Sequence, residues 1–174
     1  MSLPRRLSYV NDAAGLALKQ EPVIAPLRGD HITITSSNSP QELKFDAPFE
    51  LSLTFDHADQ GTVGLRLYTD EQHWTEIAFD RTKQEFSIDR THAGVDVTPD
   101  FPVKTVTTMH KERPYDLRLI VDRSSVEAFA QNGTIAMTNL IFPATTHNRL
   151  VFFSSTNGKV AVKGDAWTLR SIWK

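Results

Sequence analysis

The 174-residue sequence predicts an all-β fold, two antiparallel sheets packed as a sandwich. Three observations carry this. Side-chain polarity alternates with a period of two along most of the chain. Turn residues punctuate the alternating runs at short intervals. No window of about a dozen residues shows the 3.6-residue period of an amphipathic helix.

The runs follow in order. Leu7–Val10 and Leu16–Lys19 flank a polar turn at Asn11-Asp12, whose side chains bond locally to the backbone. Gly15 argues against a helix across this stretch. Next come Asp30–Thr35, Phe49–Phe55, Gly64–Tyr68, Trp74–Phe79 and Glu85–Asp89. After Pro114 come Leu117–Val121, Val126–Phe129, Ile135–Met137, Leu150–Phe153, Lys159–Val162 and Trp167–Trp173. Their β-branched and aromatic content suits a pleated, half-buried surface. Asp59-Gln60-Gly61, Asn132-Gly133 and Asn157-Gly158 supply turns, because Asn and Gly tolerate positive φ. Pro48, Pro99, Pro102, Pro114 and Pro143 lie between runs, where a missing N–H costs no ladder bond. About a dozen one-sided strands bury their apolar faces best by stacking two sheets about 10 Å apart, in a jelly-roll or concanavalin-like sandwich.

Composition excludes several function classes. Lys plus Arg number 19 and Asp plus Glu 21, a net charge of −2, so there is no basic footprint for nucleic acid. No apolar stretch is long enough to cross a membrane as a helix. The absence of Cys removes disulfides, thiolate metal sites and a Cys nucleophile. The six His residues lack metal-ligand spacing, and no cofactor or metal is expected. No phosphate-binding glycine loop or nucleophile elbow is present. Ser124-Ser125 reads as a hairpin turn, and no spacing singles out a catalytic carboxylate pair. Asn132-Gly133-Thr134 matches a glycosylation sequon, but its composition suits a turn for backbone reasons alone.

Aromatic rings are the other route to function, since sugars lay flat C–H faces on them. Trp74, beside His73 in a polar run near a turn, is the candidate carbohydrate-binding pair. Trp167 and Trp173 share one face of the last strand, which suits packing. In the strand after Ser124, Val126, Ala128 and Ala130 share one face, suited to the inter-sheet core. Ser125, Glu127 and Phe129 share the other, so Phe129 is expected half exposed, with an apolar patch of about a few hundred Å² that fits a partner on this face or at the nearby Leu3–Leu7 segment.

Three stretches together carry a resemblance. Phe86–Gly94 is similar to a strand followed by D-R-[ST]-x-x-G. Leu117–Phe129, with Asn132-Gly133 and Ile141-Phe142-Pro143, resembles L-R-x-x-V-D-x-S-[SV]-V-E-V-F…[ND]-G…I-[FY]-P, with Ala128 in place of Val. Ala166–Trp173 resembles that family's closing strand. The family is glycoside hydrolase family 32, and the likeness is to its C-terminal β-sandwich. Met1-Ser2-Leu3-Pro4-Arg5 also resembles the junction between its catalytic propeller and the sandwich.

The resemblance implies a division of the chain into a junction, 1–7, and a sandwich, 8–174. It implies a parent enzyme that cleaves β-fructofuranosides with retention, as levanases, invertases and inulinases do. The family's catalytic acids lie in an upstream propeller, in W-x-N-D-P-N-G, R-D-P and E-C motifs. None of these is present, and Asn11-Asp12-Ala13 lacks the Pro and Asn of the first, so no catalytic residue carries over. The expected role is a non-catalytic accessory domain stabilising the propeller. The junction residues Leu3, Pro4, Arg5 and Leu7, with Glu127 and Phe129, are the candidate interface. The alternative is an autonomous fructan-binding module with Trp74 and His73 as its platform. Partners are then the propeller and a fructan or sucrose-type carbohydrate. Location follows the parent: exported for a levanase, cytoplasmic for a sucrose-phosphate hydrolase.

Overall fold

A computed structural model describes residues 3–37, 48–56, 61–94, 98, 100–142, 149–156 and 161–170. Thirteen strands and one 3-10 turn are found among them. Strands β1 (Arg5–Asp12) and β2 (Gly15–Pro22) form a two-stranded ribbon, followed by the turn Ala25–Leu27. The expected polar turn is there, although β1 starts earlier and includes Arg5–Leu7.

The larger sheet has the order β11-β10-β9-β4-β13-β3, and the smaller β12-β5-β6-β7-β8. The larger contains β3 (Arg28–Ser37), β4 (Phe49–Phe55), β9 (Asp116–Val121), β10 (Ser125–Ala130), β11 (Ile135–Leu140) and β13 (Ala161–Leu169). The smaller contains β5 (Thr62–Tyr68), β6 (Trp74–Asp80), β7 (Glu85–Asp89), β8 (Lys104–Thr108) and β12 (Arg149–Ser154). Every pairing is antiparallel.

Register fixes which face is buried, because a one-residue slip would turn every side chain over. Leu51 opposes Leu119 and Leu53 opposes Leu117 on the larger sheet. Leu65 opposes Ile77, and Phe79 opposes Phe86, on the smaller. These side chains meet between the sheets in one core, with Phe55 edge-on to Phe79 at 5.7 Å. Val126, Ala128 and Ala130 lie in that core as expected, small enough for the sheets to approach closely.

Three expectations change. Lys104–Thr108 is a strand that the alternation did not reveal. The runs starting at Lys159 and at Trp167 join into one strand, β13, which continues through Gly164. A Cβ on Gly164 would lie 2.0 Å from the Ser52 carbonyl, so glycine here reflects close strand approach and not a break. The Asn132-Gly133 hairpin is a four-residue loop, Gln131–Thr134, closed by the Ala130/Ile135 pair. Gln131, Asn132 and Gly133 all have positive φ there. Asp59-Gln60, Pro99, Pro143, Asn157-Gly158, Lys159-Val160 and Trp173 lie outside the described residues, as do His57 and His147.

Candidate functional site

The outer face of the larger sheet carries a second, smaller apolar cluster. Ile120 and Phe129 point outward there, by alternation with the core residues Leu119 and Ala128. Ile24 and Leu169 complete the cluster, with Leu3, Leu27 and Ala136 packed against it. Phe129 is only 2% exposed, so the expectation of a half-exposed ring is wrong. The face was assigned correctly, but this chain's own N-terminal segment covers it. Burying such a ring contributes about 1.5–3 kcal/mol, which accounts for the segment's docking.

Three attachments hold the ribbon on that face. At its base, Glu127 accepts hydrogen bonds from the Leu3 backbone N–H and from Arg5 Nη2, both at 2.9 Å. The Arg5 guanidinium also lies 5.0 Å from the centre of the Phe129 ring. In the middle, the Gln20 N–H donates to the Gly133 carbonyl at 2.8 Å. At the tip, Arg113 donates to the Asp12 carboxylate at 3.1 and 3.3 Å. That bond holds the Asp12 carboxyl below the usual carboxylate range.

Four of the six candidate interface residues thus build the ribbon's anchorage. Leu3, Arg5, Glu127 and Phe129 meet directly, whereas the Pro4 carbonyl accepts from the Val23 N–H at 3.0 Å within the N-terminal segment itself. Leu7 does not join them. It is 60% exposed and shares a ribbon face with Tyr9 (78%), Leu16 (71%) and Leu18 (41%). Tyr9 and Leu18 oppose one another directly. The exposed apolar patch is therefore absent around Phe129 and lies on the ribbon, where it includes Leu7 of the junction. Tyr9, Leu16 and Leu18 were missed as candidates, although their alternation on two paired strands was a usable signal.

Trp74 begins β6 on the outer face of the smaller sheet. Its ring is half-buried and stacks on His92, with centroids 4.2 Å apart and planes 8° apart. Tyr68 lies beside it at 5.4 Å, and the Arg66 guanidinium is 5.4 Å from its centre. His73 turns to Asp70, at 2.7 Å, and that hydrogen bond is the main reason the Asp70 carboxyl is lowered. The structure thus does not bring His73 and Trp74 together as one platform. Gln72, His73, Arg90, Thr91 and His92 line a cavity of about 310 Å³ there. Among the described residues no group of three or more His, Asp or Glu is placed to hold a metal ion, and no helix is long and apolar enough to cross a membrane.

A family model described as "Glycosyl hydrolases family 32 C terminal" matches residues 25–168. The levanase of Bacillus subtilis is 28% identical over 99% of this chain, which spans 27% of that protein. The extracellular exo-inulinase of Aspergillus awamori is 28% identical over 99% of the chain, here 35% of the relative. The crystal structure of the Aspergillus awamori exo-inulinase superposes with a TM-score of 0.82 at 24% identity, over 99% of this chain and 36% of that one. The sucrose-6-phosphate hydrolase of Lactobacillus gasseri superposes with a TM-score of 0.77 at 25% identity, over 97% and 33% of the two chains. The sequence therefore spans about a quarter to a third of these relatives. With its two-sheet sandwich and 25–168 matched, the chain belongs to glycosyl hydrolase family 32, as that family's C-terminal domain.

Proposed function

We propose that this domain is a non-catalytic accessory unit of a fructan- or sucrose-cleaving enzyme, and that it stabilises an upstream catalytic propeller by docking against it. The observation carrying this reading is the exposed apolar face of the ribbon, Leu7, Tyr9, Leu16 and Leu18. Four large apolar side chains clustered on one rigidly attached element suit a partner surface better than water. The levanase and exo-inulinase relatives, both several times longer than the matched region, support a hydrolase as the parent. On this reading residues 1–7 are the junction, and Arg5 to Leu7 also begin the docking ribbon.

The reading in which Trp74 and His73 form an autonomous fructan platform has less support, since the Trp74 ring already stacks on His92 and His73 is engaged by Asp70. The test is to produce the 174-residue chain and the complete gene product, each with and without Tyr9→Glu. The substitution should leave the melting temperature of the isolated chain within a few degrees and lower that of the complete enzyme clearly. Equal effects on both would refute docking. Release of fructose from levan or sucrose by the isolated chain would refute the accessory role.

A further inference from the structure

The outer face of the larger sheet holds a second feature, adjoining the ribbon's anchorage at Gln20, Phe129 and Gly133. Glu50, on β4, is completely buried and accepts from two arginines. Arg28, at the start of β3, donates from Nε at 2.7 Å to one carboxylate oxygen and from Nη2 at 2.8 Å to the other. Arg118, on β9, donates from Nε to the second oxygen. One carboxylate cannot neutralise two guanidiniums, so the cluster keeps a net charge of +1. Around it the charges are close to balanced: Asp165 on β13 acts on Arg28, Lys19 and Asp116 line the same cavity, and Arg6 and Glu21 oppose each other across the ribbon.

Arg28 Nη1 and both terminal nitrogens of Arg118 have no hydrogen-bond partner among the described residues. Both side chains are partly solvent-accessible, and both line two adjoining cavities of about 240 and 290 Å³ between β2 and the sheet. The donors are also held in place. The Arg28 guanidinium lies 3.8 Å from the centre of the Trp167 ring, which stacks on His31 at 5.3 Å. His31 is in turn bonded to Asp165 at 2.7 Å. Planar, pre-oriented N–H donors left free on two guanidiniums match a tetrahedral oxyanion, which accepts two parallel bonds from a guanidinium fork.

We propose that this cleft is a binding site for a phosphate-type oxyanion, carried by a phosphorylated sugar or present as free phosphate. The phosphoryl oxygens take the free donors of Arg118 and Arg28, and any attached sugar extends along the cavity past Ser52 and Thr54. The site is independent of the docking face, which lies on the exposed side of the ribbon.

The experiment is arginine Nε–Hε NMR of the 174-residue chain, titrated with sodium phosphate at constant ionic strength against sodium chloride. The Arg28 and Arg118 resonances should shift saturably, with half-saturation in the low millimolar range, about −4 kcal/mol. Sulfate should compete and fructose should not. A hexose 6-phosphate that binds more tightly than inorganic phosphate would identify the sugar ester as the ligand, whereas equal affinity would identify the free oxyanion. Arg118→Lys keeps a cation beside Glu50 but loses the fork, and should weaken binding about tenfold. No saturable shift by about 50 mM phosphate, shifts matched by chloride, or fructose binding as well as its phosphate would each overturn the proposal. So would a folded Arg118→Lys variant with unchanged affinity. The wild-type titration decides the matter even if that variant does not fold.

Discussion

Replacing Glu127 by Gln tests whether the N-terminal ribbon belongs to the sandwich. The carboxylate is nearly buried and accepts two bonds at 2.9 Å, one from a charged guanidinium. Hydrogen bonds to charged groups contribute about 1.5–3 kcal/mol each, and breaking a buried ion pair costs about 3–5 kcal/mol. Arg5 keeps 19% of its side chain in water and so recovers part of the loss, which brings the expected cost to about 2–3 kcal/mol. The cost falls first on the ribbon, because its detachment breaks the Glu127 bonds without opening the core. Native-state hydrogen exchange reads this directly at the Gln20 amide, which donates to the Gly133 carbonyl across the contact. Its exchange should accelerate about 30- to 150-fold in Glu127→Gln, while amides of β4 and β9 change far less. Arg5→Ala should give a similar acceleration, and the double variant little more, since the two side chains share one interaction. Unchanged exchange at Gln20, or additive effects of the two substitutions, would refute the anchorage.

Three further outcomes are expected. Glu50→Gln leaves Arg28 and Arg118 around a neutral amide and should cost about 3 kcal/mol in urea unfolding, with Leu51→Ala as a core reference. Gly133→Ala places a Cβ 2.3 Å from the Gln20 carbonyl at a residue with φ of 78°, and should cost about 1–3 kcal/mol with faster Gln20 exchange. Burial raises the Asp116 carboxyl above its ordinary range, so the unfolded carboxyl is the stronger acid and ionisation favours the unfolded chain. That penalty is absent below the unfolded value and complete above the folded one. Asp116→Asn should therefore gain stability relative to the parent as pH rises from about 3 to 7, read in paired urea melts. An equal difference at both pH values would contradict this.

Alternation made most strands legible because each has one face in the core and one outside it. It failed at Lys104–Thr108, whose exposed and half-buried residues include a single apolar side chain, Val106. The β-branched run Thr105–Thr108 is the local signal there, but without polarity alternation it needs pairing with β7 to mark it as a strand. The separation of the runs at Lys159 and Trp167 misled for the opposite reason, since Gly164 between them serves close packing within one strand. Phe129 was placed on the correct face, but a period of two cannot say what lies over that face. The Leu3–Leu27 segment that covers it is far away in sequence. The Arg28, Glu50 and Arg118 cluster was illegible for the same reason: it is assembled by lateral strand order across the larger sheet, and no spacing along the chain records it. At Trp74 a polar neighbourhood suggested an open ring, whereas His92 folds back onto it from the turn after β7.

The triple fixing of the ribbon has a mechanical consequence. Leu3 is hydrogen-bonded to the body of the sandwich, so the entry into the ribbon is fixed at that residue, as by a bracket and not a tether. Swivelling about that point would mean pulling Leu3 and Arg5 off Glu127 and wetting Phe129. The entry is thus held by the same contacts that keep water out of the outer apolar cluster.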